Sequence, residues 1–165
     1  MDELTGRPEN GPMLLIAGLR EHYTMETAAR IPALWQRLVP HLGNIPRQIG
    51  DVTYGVVSRP RNGAGGFDYL AGVKVSGVGD LPGGFATEKI PAQAYTVYPH
   101  RQHVSKLRET MDAIWRAWIA VPGHQADYGL DVIERYGGYG EAFNPVTGLG
   151  DIEVWVPVGG RLGSL

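Results

Sequence analysis

The feature of this chain best suited to chemistry is an acid framed by apolar and aromatic residues. In Leu130-Asp131-Val132-Ile133-Glu134-Arg135-Tyr136, strand alternation places Val132, Glu134 and Tyr136 on one face and Asp131, Ile133 and Arg135 on the other. Two readings fit. Glu134 is a solvated acid on an amphipathic strand, or a buried acid that wants a cation, and buried acids are uncommon unless paired. Tyr54 and Tyr69 carry hydroxyls on interior-leaning strand faces, which favours a cleft over plain core. Trp115 and Trp118 fall on the apolar stripe of a helix, where core packing and cleft lining both remain open. A cation held beside such an acid would gain from aromatic faces, each cation–π contact contributing about 0.5–2 kcal/mol. It would also relieve the cost of the desolvated carboxylate.

Other chemistries find less support. Glu153 is a rival acid, but it alternates away from Ile152, Val154 and Val156 and is expected to face solvent. His100 and His103 invite a metal, yet no third ligand stands at a suitable spacing, so a surface or capping role is expected and no metal. The glycine-rich stretches at 63–66 and 77–84 lack the lysine and strand–helix setting of a phosphate loop. Asp112, Asp127 and Ser105 form no nucleophile pattern. With no cysteine in 165 residues, disulfides, thiolate metal sites and cysteine nucleophiles are absent. No cofactor is implied.

Elements able to position these residues follow from periodicity. Strands are expected at 13–20, 51–58, 67–75, 85–90, 94–98, 130–136 and 151–158, the third with Phe67, Tyr69, Ala71, Val73 and Val75 on one face. Thr24 is a candidate N-cap for a helix carrying Met25, Ala28, Ile31, Leu34, Trp35 and Leu38. Pro32 must either kink that helix or mark a second start near Ile31. The clearest helix is 103–120, where Val104, Leu107, Met111, Ile114, Trp115 and Trp118 form one stripe and Val121-Pro122-Gly123 makes the stop. Turns at 59–66 and a glycine-rich loop after Tyr136 complete the outline.

Two segments repeat. Ala33-Leu34-Trp35-Gln36-Arg37-Leu38 and Ala113-Ile114-Trp115-Arg116-Ala117-Trp118 share Ala-aliphatic-Trp-x-x-apolar at a spacing of 80 residues. Each follows a strand, ends at a proline and precedes two more strands; the segments 68–75 and 151–158 also agree. The expected fold is therefore α+β: duplicated β-α-β-β units with pseudo-two-fold symmetry, an antiparallel sheet, two main helices on one face and a central cleft at the seam. The same offset sets Tyr54 opposite Glu134. Residues 1–12, polar with two prolines, read as a flexible lead-in, 13–158 as the domain (halves about 13–76 and 84–158) and 159–165 as a tail.

Composition bounds the partners. Hydrophobic residues make up 43 % and charged residues 19 %, and the net charge of −2 offers no basic stripe for nucleic acid. No apolar run reaches the ~18 residues of a membrane span. Lack of a signal peptide favours the cytoplasm.

At a larger scale the chain resembles a known family. Phe67-x-Tyr69-x-Ala71-Gly72-x-x-Val75, Leu81-Pro82-Gly83-Gly84, Ile90-Pro91-Ala92-x-x-Tyr95, Ala117-Trp118-x-x-x-Val121-Pro122-Gly123, Ile133-Glu134-x-Tyr136 and 151–158 occur in an order similar to the GyrI-like small-molecule-binding domain. That domain is also the effector-binding half of multidrug-sensing regulators of the MerR and AraC types. The resemblance implies a central cleft walled by aromatic rings, with Glu134 meeting lipophilic cations. Tyr54, Tyr69, Trp115, Trp118, Tyr136 and Phe67 are then the candidate ligand-binding rings. It also implies two alternatives: a hydrolase of cyclopropane-bearing toxins using Glu134 as general base with Tyr54, or a protein-interaction module acting on gyrase or a regulator. The twelve residues before Met13 cannot hold a helix-turn-helix domain, so a standalone form without direct DNA binding is expected. Tyr98-Pro99-His100-Arg101-Gln102 departs from the glycine-containing turn usual in the family.

Overall fold

The computed structural model describes residues 5–59, 65–100, 103–120, 131–138, 143–144, 149–159 and 162. In chain order the elements are β1 (Arg7–Gly11), β2 (Leu14–Tyr23), α1 (Ile31–Leu38), β3 (Gln48–Ser58), β4 (Phe67–Val75), β5 (Ala86–Ile90) and β6 (Gln93–His100). Then come α2 (Leu107–Ile119), β7 (Val132–Tyr136), β8 (Phe143–Asn144), β9 (Leu149–Gly150) and β10 (Ile152–Pro157). Eight strands form one sheet in the order β1-β6-β10-β7-β3-β4-β2-β5, and β8 pairs β9 apart from it. Every pairing is antiparallel.

The strand order is symmetric about the β7–β3 boundary, so that β2-α1-β3-β4 answers β6-α2-β7-β10. This is the duplicated α+β architecture expected from the repeat. Sequence reading missed one exchange. β1 leads into the first unit but pairs with β6 of the second, while β5 leads into the second but pairs with β2 of the first. The expected flexible lead-in is thus corrected for 7–11, which form a sheet edge. Edge strands tolerate proline and polar residues, which is why Arg7-Pro8-Glu9-Asn10-Gly11 carried no strand signal.

The exchange also bends the sheet. β1 connects to β2 through Pro12 and Met13 alone, and β5 to β6 through Pro91 and Ala92. Such a link spans at most ~11 Å at ~3.8 Å per residue. A flat sheet would hold β1 and β2 six strand spacings apart, roughly 29 Å. The sheet must therefore curl until its ends meet. On the inside of the curl, Tyr54, Leu70 and Ile133 from the central strands pack with Ile90 and Tyr95 from the two ends.

The outer face carries both helices, each over its own cluster: Leu34 and Leu38 of α1 with Tyr69, Ala71 and Val73, and Leu107 and Ile114 of α2 with Val132, Tyr136 and Val154. α1 starts late. Thr24 does not cap it; residues 24–27 form a turn, Ala28–Arg30 a 3-10 turn, and the helix begins at Ile31 with Pro32 in its first turn. α2 follows a 3-10 turn at Val104–Lys106 capped by His103, whose ring Nδ1 accepts from the Ser105 amide at 3.0 Å. Residues 60–64 of the turn expected at 59–66, the Val121-Pro122-Gly123 stop, Asp127, the Arg101-Gln102 pair, most of the glycine-rich loop and most of the tail lie outside the described residues.

Candidate functional site

Three adjacent strands, β4, β3 and β7, supply the floor between the helices. Alternation along β7 turns Val132, Glu134 and Tyr136 toward the helices, and on β4 it turns Phe67 and Tyr69 the same way. Together with Trp35 and Ile31 of α1 and Leu107, Met111 and Trp115 of α2, they line a cleft of about 880 Å³. Glu134 is only 7 % exposed.

Its carboxylate has a defined environment. The Tyr69 hydroxyl donates to Oε1 at 2.5 Å and the Tyr136 hydroxyl donates to the same oxygen at 2.7 Å. The Trp35 indole N–H in turn donates to the Tyr69 oxygen at 3.0 Å. The Trp35 ring stands edge-on to Tyr136 at 5.2 Å and to Tyr69 at 6.4 Å. Among the described residues, Oε2 receives no hydrogen bond and the carboxylate forms no salt bridge. Burial raises the Glu134 carboxyl above its ordinary 4.5, against the two tyrosine hydrogen bonds that lower it. The hydroxyls of Tyr69 and Tyr136 are driven well above 10.0, first by burial and then by the neighbouring carboxylate, so both remain donors.

The structure brings Glu134, Tyr69, Tyr136, Phe67 and Trp115 to one cleft. Trp118 stacks on Trp115 at 5.8 Å and packs into the cluster under α2. Tyr54 must be corrected: it points to the inside of the curl among Val56, Leu70 and Ile133. The even offset of the helix repeat does not carry over to the strands, because the cleft-facing residues are odd-numbered on β3 (Thr53, Val57) and even-numbered on β7 (Val132, Glu134, Tyr136). Gly55 is the register partner of Glu134, and Tyr54 is opposite Arg135. In a pleated strand a slip of one reverses the face. Trp35 was assigned to the helix from sequence but not to the site; its match to Trp115 in the repeat was the available signal.

The rival groups have structural partners. Glu153 accepts from Arg7 at 2.6 Å and from the Trp155 indole at 3.2 Å, with Arg135 at 3.7 Å, so it is half-buried and paired instead of simply solvated. His100 is buried; Nε2–H donates to the His103 carbonyl at 2.9 Å and Nδ1 meets the Thr110 hydroxyl at 2.7 Å, tying β6 to α2. Among the described residues no group of three metal-ligating side chains occurs and no helix is long and apolar enough to cross a membrane.

A sheet of duplicated β-α-β-β units with a cleft at their seam defines a recognised class. Residues 10–158 match the model of the GyrI-like small molecule binding domain, and the chain belongs to that family. Over 149 residues it is 26 % identical to the transcriptional regulator BrlR of Pseudomonas aeruginosa, a match covering 89 % of this chain and 53 % of BrlR. The chain thus spans about half the length of that relative. Among solved structures, SAV2435 bound to tetraphenylphosphonium superposes with a TM-score of 0.72 at 14 % identity, covering 93 % of both chains. The EcmrR C-terminal domain gives 0.61 at 13 % identity, covering 93 % of this chain and 96 % of that one. At such identities the likeness is one of fold.

Proposed function

We propose that this domain binds a lipophilic organic cation in the cleft between α1 and α2, with Glu134 as the counter-charge. One observation carries the reading: a buried carboxylate sits on the floor of an aromatic cleft, and among the described residues it forms no salt bridge. An unpaired buried charge is costly, and a ligand that supplies the opposite charge recovers that cost. Family membership supports small-molecule binding, and the similar SAV2435 holds tetraphenylphosphonium. Trp35, Phe67, Trp115 and Tyr136 offer ring surface around such a cation. The hydrolase alternative paired Glu134 with Tyr54, which lies on the other face of the sheet, and no observation favours a gyrase or regulator partner.

The test is a titration of tetraphenylphosphonium followed by tryptophan fluorescence. Saturable binding is expected in the wild type, with affinity reduced at least ~10-fold in Glu134→Gln. A silent wild type would remove the proposal. Equal binding by both proteins would remove Glu134 from it.

A further inference from the structure

Tyr69 and Glu134 are not on neighbouring strands. β3 runs between β4 and β7, so the Tyr69 ring has to pass over β3 to donate to Glu134. It crosses at Gly55. A Cβ built there would overlap the Tyr69 hydroxyl and lie 2.7 Å from Tyr69 Cζ and 2.5 Å from Glu134 Oε1. Backbone conformation does not call for glycine at this point, because Gly55 is not among the positive-φ glycines. Space does. Gly18 and Gly72, paired between β2 and β4, differ: a Cβ at either meets mainly backbone of the facing strand, which is a packing requirement.

We infer that Gly55 is a positioning residue of the cation site: its missing side chain lets the Tyr69 hydroxyl cross β3 and fix the Glu134 carboxylate. The residue at 55 thereby sets how well the cleft holds a cation, an inference that rests on the proposed function. A methyl at 55 drives the phenol aside and removes one of the two donors to Oε1. Hydrogen bonds to the charged form favour that form, so a displaced Tyr69 leaves Glu134 easier to protonate and a weaker counter-ion. Trp35, hydrogen-bonded to the same phenol, holds it from the helix side.

The decisive measurement needs no ligand. The Glu134 carboxyl carbon, assigned with Glu134→Gln, is titrated by NMR in protein labelled at glutamate. Other titratable groups facing the cleft are Tyr69 and Tyr136 from the sheet and His103, Arg108 and Asp112 from the α2 segment; α1 contributes none to the lining. The cationic and acidic members are common to all variants. Gly55→Ala and Tyr69→Phe should each raise the midpoint, and the double variant should raise it no further than the larger single change. Tetraphenylphosphonium affinity should fall roughly tenfold in both. An unchanged or lowered midpoint in Gly55→Ala, or additive shifts in the double variant, would overturn the inference. If Gly55→Ala fails to fold, Gly55→Ala/Tyr69→Leu should restore a cooperative melt, since the phenol is gone and the Glu134 carboxylate, which the methyl also meets, gains room to shift; no rescue would equally overturn it. Absence of phosphonium binding by the wild type, with the titrations as expected, would count against the cation-site reading and leave the role of Gly55 in fixing the carboxylate supported.

Discussion

The two faces of the sheet are made from alternate residues of the same strands, yet one is filled and the other keeps a cleft. On the inner face, Tyr54, Val56, Leu70 and Ile133 are closed over by the sheet's own ends. On the outer face, Gly55, Tyr69 and Glu134 lie beneath two helices that leave about 880 Å³ between them. The difference lies in the cover. A curled sheet brings its own ends over the inner side chains, whereas two separate helices meet the sheet on their own stripes and part above the seam. The outer face combines a buried acid with an open cleft, whereas Asp131, on the face of Ile133, is closed in by the backbone amides of Arg59 and Leu162. Tyr54 and Tyr69 make the contrast concrete, since one phenol lies in the inner cluster and the other donates to an acid.

The largest effect should come from the filled face. Leu70→Ala, at a side chain 2 % exposed, is expected to lower stability by about 2–5 kcal/mol in a urea melt. Phosphonium affinity of the folded fraction should not change; if it does, the faces are not independent. Next is Glu134→Gln, expected to lose about 1.4–3 kcal/mol of cation binding with no loss of thermal stability, because it removes an uncompensated buried charge. A clear fall in its melting temperature would mean that the acid belongs to the core.

A pH series sharpens the same point. Burial holds the Glu134 carboxyl above 4.5 in the folded state. The folded protein therefore keeps this proton more tightly than the unfolded chain. Its stabilising contribution is complete below 4.5 and is lost as pH rises through the folded-state value. Across that window the wild type should lose stability relative to Glu134→Gln, while phosphonium affinity rises. The smallest effect is expected for Tyr54→Phe, within about 1 kcal/mol in stability and neutral for binding. Weakened binding there would restore Tyr54 to the site.

Much of this could be read from the sequence, and the failures have physical causes. The antiparallel α+β duplication, the faces of β4 and β7 and the stripe of α2 follow from periodicity, because half-buried strands and amphipathic helices write their environment into alternate or every third-to-fourth residue. Gly55 could not be found this way, since its role is an absence of atoms and depends on register between strands far apart in sequence. Trp35 falls on the stripe of its helix, and periodicity carries no trace of the bond from its indole N–H to Tyr69. β1 was invisible because an edge strand needs no apolar face. The buried acids also diverge: Asp131 takes the backbone amides of Arg59 and Leu162, a structural tie that local alternation cannot distinguish from a site.

The exchanged strands β1 and β5 bear on how the molecule comes apart. Each half is latched by a strand threaded from the segment that introduces the other, through a link containing a proline. Severing the chain between the halves would not release two modules, because each piece would carry a latch cut for its sibling and lack its own. Duplication supplied two similar units, but reciprocal latching at the outer strands adds to the β3–β7 ladder at their seam and makes them mechanically one.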